Sequence, residues 1–85
     1  MQYKSAIKTI MDRAAAIRLP LGELCTRADV HKGTLYRWLG ENANPRLRDL
    51  NRALDALERE LAAEEGRMRA QLGGELAGQA VEAGE

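Results

Sequence analysis

The sequence predicts an all-α fold, a bundle of four to five helices with a long helix at its C-terminal end. Apolar residues recur at steps of three and four along most of the chain, which is the period of helices with one buried face. The 85 residues include no Phe, one Trp and two Tyr, so Ala and Leu must form the core. These residues suit close-packed helices better than sheets. The length predicts one small domain.

The first helix is predicted from about Tyr3 to Ile17. Its apolar residues share one face: Ile7, Ile10, Met11, Ala14 and Ile17. Pro20 closes this segment and favours the start of the next helix, because the N–H that proline lacks has no partner in a first helical turn.

Residues 21–40 predict two short helices that cross over one small core. Their buried stripes are Leu21, Leu24, Cys25 and Ala28 before a turn, and Val30, Leu35 and Trp38 after it. Asp29 lies at the turn, because Asp tolerates left-handed backbone better than most residues. The second helix is expected to begin near His31 or Lys32 and to end at Gly40.

The second of these helices is predicted to expose a face without acidic residues. Its members are small or form hydrogen bonds: His31, Lys32, Gly33, Thr34 and Arg37. Base edges in the DNA major groove offer acceptors, and phosphates flank them. The pattern therefore indicates a helix, residues 31–39, that enters the major groove and reads base edges.

Residues 40–45 (GENANP) predict a loop, with Asn44 as a natural N-cap and Pro45 as the first residue of a Leu-rich helix. The stripe of that helix is Leu47, Leu50, Leu54, Leu57 and Leu61. Its first half is expected to close the core, and a compact domain leaves little surface for the second half. The sequence therefore predicts a dimer contact on the second half, at Leu57, Leu61, Met68 and Leu72.

The chain is predicted to comprise three segments. Residues 1–61 form the DNA-binding domain, and residues 62–72 form a helical extension. Glu64 and Gly66 interrupt the apolar pattern, so the sequence leaves open whether the helix continues past Gly66. Residues 73–85 contain four glycines in thirteen positions and predict a flexible tail.

The charges segregate along the chain although the formal net charge is zero. Residues 1–48 hold nine basic and four acidic residues, whereas residues 49–85 hold four basic and nine acidic residues. The basic half contains the helix pair, as expected for a nucleic-acid-binding protein. A bundle whose charges segregate without a nucleic-acid partner is the alternative.

Residues 6–61 resemble the helix-turn-helix domain of the Cro and phage-repressor class, also called the Xre family. The matching segments are LGELCTRADV, HKGTLYRWLG, ENANP and RLRDLNRALDAL. The sequence departs from the family at Asp29, where Gly is usual, and at Cys25, where Ala is usual. The fourth helix extends where the family commonly adds a short fifth helix.

The segment ADVHKGTLYRWL is also similar to the DNA-reading heads of tetracycline-repressor-type proteins. In those proteins the Gly-Thr-Leu-Tyr run lies against the DNA backbone and a long ligand-binding domain follows. A chain of 85 residues does not accommodate that domain, and the Asn-Pro loop favours the phage-repressor class.

The resemblance to the phage-repressor class implies a transcriptional regulator that binds specific double-stranded DNA as a homodimer. Lys32, Gly33 and Arg37 match the positions that face base edges. His31 and Thr34 are expected to contact a base or a phosphate, or to act only as a local cap. The expected phosphate contacts, which position the helix without reading sequence, are Arg27, Tyr36, Asn44 and Arg46.

No enzymatic, cofactor, metal or small-molecule site is expected. Trp38 is interpreted as core, and Cys25 as a buried small residue without a base beside it. The acidic run Glu58, Glu60, Glu64 and Glu65 is interpreted as a solvated helix face. The absence of a signal peptide and of a long apolar run predicts a cytoplasmic, nucleoid-associated protein without a membrane partner.

The alternative function is a small helical protein-interaction module or an antitoxin. In that interpretation the Leu-rich C-terminal helix binds a partner protein, and the exposed face of the second short helix has no role of its own.

Overall fold

The computed structural model describes residues 3–84, with side chains described for residues 3–72, and this part of the chain is all-helical. It contains four helices: α1 (Tyr3–Ala16), α2 (Leu21–Ala28), α3 (Lys32–Trp38) and α4 (Leu47–Gly84). The predicted all-α class with a long C-terminal helix is confirmed, with four helices between residues 3 and 84.

α1 is followed by a left-handed residue, Arg18, which the sequence did not predict. Arg18 has a φ of 58°, and its N–H donates to the carbonyl of Ala15 at 3.0 Å. The N–H of Leu19 donates to the carbonyl of Ala14 at 2.9 Å. This pair of bonds is a Schellman motif, which satisfies the last carbonyls of a helix and usually places Gly where Arg18 stands.

α2 ends in the same way, at the turn that the sequence predicts. Asp29 has a φ of 57° and a ψ of 42°, which confirms the expected left-handed backbone. Its N–H donates to the carbonyl of Thr26 at 3.2 Å, and the N–H of Val30 donates to that of Cys25 at 2.9 Å. The chain thus reverses sharply between α2 and α3 and allows α3 to cross α2.

One hydrophobic core joins the four helices. Its buried members are Ile7, Ile10, Ala14, Leu19, Leu24, Cys25, Leu35, Trp38, Leu50, Ala53, Leu57 and Leu61. Each helix contributes residues of one face, as the predicted stripes require. The interpretation of Trp38 and Cys25 as core residues is confirmed.

The structure corrects the predicted dimer contact at two of its four residues. Leu57 and Leu61 are both 0% exposed within their own chain, so they cannot contact a second chain. The core extends further along α4 than predicted, because both α1 and α2 pack against α4; Arg13 of α1 reaches Glu65, and Arg27 of α2 reaches Glu64. Met68 is half-buried and Leu72 is 58% exposed, so only these two remain open to a partner.

Both predicted ends of α4 also differ from the structure. The helix begins at Leu47, and the first carbonyl to accept a helical bond is that of Arg46, from the N–H of Leu50 at 2.9 Å. Asn44 and Pro45 therefore lie in the loop, since proline restricts its own φ and that of the residue before it without forming the helical bonds.

At the other end of α4, the helical backbone continues past Gly66 to Gly84. It thus covers residues 73–84, where the sequence predicts a flexible tail. Each glycine in a helix costs about 1 kcal/mol relative to Ala, which weakens a helix without ending it as proline does. Side chains beyond Leu72 lie outside the described ones.

An ion-pair cluster holds α4 against α1 and α2. Arg13 of α1 contacts Glu58 at 2.7 Å and binds Glu65 through two nitrogens, at 2.5 and 3.1 Å. Arg27 of α2 contacts Glu64 at 2.9 Å. The acidic run is therefore not simply a solvated face, because Glu58, Glu64 and Glu65 each pair with an arginine of another helix. Glu64 also pairs with Arg67 of its own helix.

The cluster shifts the pKa values of two of its carboxyl groups. The hydrogen bond from Arg13 holds the pKa of Glu65 below its ordinary value. Hydrogen bonds from Arg67 and then from Arg27 do the same for the pKa of Glu64. The side chains are partly exposed, so solvent screens the interaction and the stabilisation is modest.

Among the described helices, none combines the length and the apolar character that a membrane crossing would require.

Candidate nucleic-acid interface

α3 is anchored by one side and exposed on the other. Leu35 and Trp38 are buried in the core, which fixes the rotation of the helix about its axis. His31, Lys32 and Arg37 are exposed. We call the exposed residues His31, Lys32, Gly33 and Arg37 the α3 face, and they are four of the five residues predicted to contact bases.

Thr34, the fifth of those residues, is half-buried and lies at the edge of the α3 face. Neither His31 nor Thr34 acts as a side-chain cap at the start of α3. His31 occupies the N-cap position without a side-chain hydrogen bond to the helix, and its backbone carbonyl accepts the N–H of Thr34 at 2.9 Å. The local-cap alternative for His31 is therefore not supported by the geometry.

Gly33 lies on the α3 face, where its own chain does not require a glycine. A Cβ built there would meet the ring of His31, with Nδ1 at 3.3 Å and Cε1 at 3.7 Å. The imidazole is an exposed side chain that can move by a few tenths of an ångström. A small shift of the His31 ring would therefore make room for a side chain at this position.

Lys32 directs its charge toward the neighbouring helix. Its Nζ lies 4.0 Å from the position that a Cβ at Gly22 would occupy, so the ammonium lies over the first turn of α2. The charge is thus at the border between α2 and α3, while the side chain remains exposed. The lysine side chain is long and flexible, so its ammonium group can approach a ligand at either α2 or α3.

Three of the four predicted phosphate contacts are exposed around the α3 face. Tyr36 is 52% exposed, and Asn44 and Arg46 are exposed in the loop that leads to α4. None of the ion pairs among residues 3–72 involves Arg37, Lys32 or Arg46. Their charges are therefore not neutralised by a paired carboxylate in this part of the chain.

Arg27, the fourth predicted phosphate contact, has a different environment. Its guanidinium donates to Glu23 at 2.6 Å and to Glu64 at 2.9 Å. The hydrogen bonds to Glu64 and then to Glu23 raise the pKa of Arg27 above its ordinary value. Two carboxylates beside it would repel a phosphate, so Arg27 belongs to the ion-pair cluster and not to the predicted phosphate contacts.

The sequence analysis missed two residues of α4 that lie beside the α3 face. A groove of about 420 Å³ runs between α3 and the first turns of α4, and Arg52 and Asp49 line it together with His31, Thr34 and Arg37. Only the fold brings them together, since Arg52 is fifteen positions from Arg37 in the sequence. The available signal was their helical spacing, because Asp49, Arg52, Ala53 and Ala56 lie at i, i+3, i+4 and i+7 and so share one face of α4.

Cys25 lies in the core and not at this interface. Burial raises the pKa of its thiol, although the charge of Lys32 opposes this shift. A buried neutral thiol is a poor nucleophile. Among the described residues, no group of three or more His, Cys, Asp or Glu side chains is arranged to hold a metal ion.

No family model, no curated protein and no solved structure matches this chain.

Proposed function

We propose that the protein is a sequence-specific, double-stranded-DNA-binding transcriptional regulator of the helix-turn-helix type, similar to the phage-repressor class. In this proposal α3 enters the major groove, and Arg37 is the principal base-reading residue, because arginine donates two hydrogen bonds to guanine. Regulation is by occupancy of the DNA site.

One observation carries the proposal. The α3 face is exposed and cationic, and it has no acidic member, while Leu35 and Trp38 hold the opposite side of the helix in the core. A reading helix needs this combination, since the groove admits a helix only if one side is free and its orientation is fixed by the other.

Phosphate contacts in this proposal surround the α3 face. Tyr36, Asn44 and Arg46 are exposed, and Asn44 and Arg46 line one surface together with Arg37; their side chains donate hydrogen bonds to phosphates without reading sequence. A homodimer would place two such helices about one turn of DNA apart, roughly 34 Å. Met68 and Leu72 are the remaining candidates for the contact between the two copies.

The alternative function, a protein-interaction module or an antitoxin that binds a partner through α4, has less support. Two of the four residues on which it depends, Leu57 and Leu61, are buried in the core of their own chain. The exposed Leu72 is what remains in its favour. Such a module would not require the α3 face to be cationic.

Selection of bound duplexes from a random pool tests the proposal. We expect a single enriched motif, palindromic if the protein binds as a dimer. On that duplex, Arg37→Ala is expected to cost about 1–3 kcal/mol and to relax the preference at one base pair. Arg46→Ala is expected to weaken binding to all sequences similarly.

The control is Arg59→Ala. Arg59 is exposed on α4 and takes part in none of the ion pairs described, so its loss removes the same charge away from the α3 face. A pool without enrichment, or an Arg37→Ala variant that loses equal affinity on every sequence, would contradict the base-reading role.

A further inference from the structure

The groove between α3 and α4 is lined by charged residues from both helices. Arg37 of α3 and Arg52 of α4 are exposed and line the same groove. Neither belongs to an ion pair within residues 3–72. Two arginines that are unpaired within this range thus line one groove, and only one of them is expected to read bases.

The groove also has acidic and apolar lining residues. Asp29 and Asp49 also line it, and so do the small apolar residues Ala53 and Ala56. The formal charges of the two arginines and the two aspartates therefore cancel. The aspartate side chains are short and keep their carboxylates near the backbone, whereas the arginine side chains are long enough to extend past them toward solvent.

We propose that Arg52 contacts a backbone phosphate of the bound duplex, across the groove from Arg37, and that Asp49 weakens this contact by repulsion. The inference rests on the proposed function, because it requires α3 to lie in the major groove. When α3 lies there, the phosphates that flank the groove pass on either side of it. Arg52 extends the cationic surface on the α4 side.

Asp49 offsets part of the attraction between Arg52 and a phosphate. A contact made by Arg52 alone would bind any duplex, since phosphates carry no sequence information. An acid beside it lowers this nonspecific attraction and leaves the base contacts of the α3 face with a larger share of the affinity. Because Asp49 weakens the same phosphate contact on every duplex, it lowers the total affinity and leaves the ratio of affinities between sequences unchanged.

α4 supplies one matched control for the variant Arg52→Ala and another for the variant Asp49→Asn. Arg59 lies seven residues after Arg52, which is two helical turns or about 10.5 Å along the same side of α4 and beyond the groove. Asp55 is exposed on α4 and lines a different surface, beside Ala6 and Thr9 of α1. Arg59→Ala and Asp55→Asn thus repeat the two charge changes outside the groove.

The experiment measures binding of the full-length protein to a duplex of mixed sequence over a range of salt concentrations. Arg52→Ala is expected to lower the affinity for the duplex roughly tenfold at low salt. It is also expected to make the slope of log K against log salt less steep by about 0.9, which is the contribution of one phosphate contact. Asp49→Asn is expected to raise affinity about two- to fivefold. Arg59→Ala and Asp55→Asn are expected to stay within about twofold of the unmodified protein.

The outcomes separate the inference from the proposed function. If the unmodified protein shows no salt-dependent duplex binding, the proposed function fails. If it binds but Arg52→Ala matches Arg59→Ala, or Asp49→Asn fails to strengthen binding relative to Asp55→Asn, only the inference is overturned. Thermal unfolding of each variant shows whether Asp49→Asn, which removes an acid from the first turn of α4, has unfolded the protein instead.

Discussion

A substitution at Gly33 is expected to weaken DNA binding without lowering the stability of the fold. A helical glycine costs up to about 1 kcal/mol relative to alanine, so Gly33→Ala has a stabilising contribution from helix propensity. The new Cβ would stand 3.3 Å from Nδ1 of His31, and that ring is exposed and free to shift. We therefore expect the variant to be as stable as the unmodified protein or more stable by up to about 1 kcal/mol.

The same methyl group lies on the α3 face, where the proposal places base edges. A close-packed interface that gains a methyl group without room for it loses about 1–3 kcal/mol. We therefore expect Gly33→Ala to bind the selected duplex more weakly by that amount. Binding is measured by fluorescence anisotropy and stability by chemical denaturation on the same preparation.

Gly66→Ala is the matched control for this experiment. A Cβ at Gly66 meets nothing within 4 Å, and the residue lies on α4, well along the chain from the α3 face. It is expected to stabilise the protein by about 1 kcal/mol and to leave DNA affinity unchanged. A Gly33→Ala variant with full DNA affinity would refute the reasoning that this face approaches DNA closely.

Three further predictions concern the fold and the dimer. Leu61→Asp places a carboxylate in the core and is expected to unfold the protein, as measured by circular dichroism. Leu72→Asp is expected to leave the protein folded and to convert the dimer into a monomer, which halves the mass measured by light scattering. An unchanged mass would place the dimer contact elsewhere. The pKa values of Glu64 and Glu65 are lowered in the folded state, so their contribution to stability is present above the ordinary pKa of 4.5 and is lost as the pH falls through the folded-state values. Urea unfolding between pH 6 and about pH 3 checks this, and a Glu64→Gln, Glu65→Gln double variant that keeps the full pH dependence would contradict it. Arg18→Gly is expected to stabilise the protein by about 1 kcal/mol in thermal unfolding, because a residue with a Cβ is strained at the left-handed φ of 58°. A loss of stability would show that contacts of the Arg18 side chain contribute more to stability than this strain costs.

The helices and the anchoring of α3 follow from the sequence because they depend on local patterns. The stripes of Leu24, Cys25, Leu35 and Trp38 specify which side of each short helix is buried, and the left-handed turn at Asp29 follows from the residue type. The end of the core along α4 does not follow from such a pattern. Leu57 and Leu61 continue the spacing of Leu50 and Leu54, so the stripe alone does not show whether they pack in their own core or against a second chain; α1 and α2, which both pack against α4, bury them in the core.

The contacts between distant residues were also beyond the sequence analysis. Arg27 precedes Glu64 by 37 positions, and the pair forms only because α2 and α4 pack together. The same arrangement removes Arg27 from the predicted phosphate contacts. Conversely, the fold places α3 and the first turns of α4 along one groove, and this arrangement brings Arg52 near Arg37.

The salt dependence of duplex binding by the unmodified protein tests the central claim most directly. Each phosphate neutralised by the α3 face and its surroundings releases counterions, so log K is expected to fall linearly with log salt, with a slope of about −0.9 for each phosphate contacted. Several contacts would thus give a steep decline between 50 and 200 mM salt. A flat response, or no binding at low salt, would contradict the account and favour a protein partner for α4.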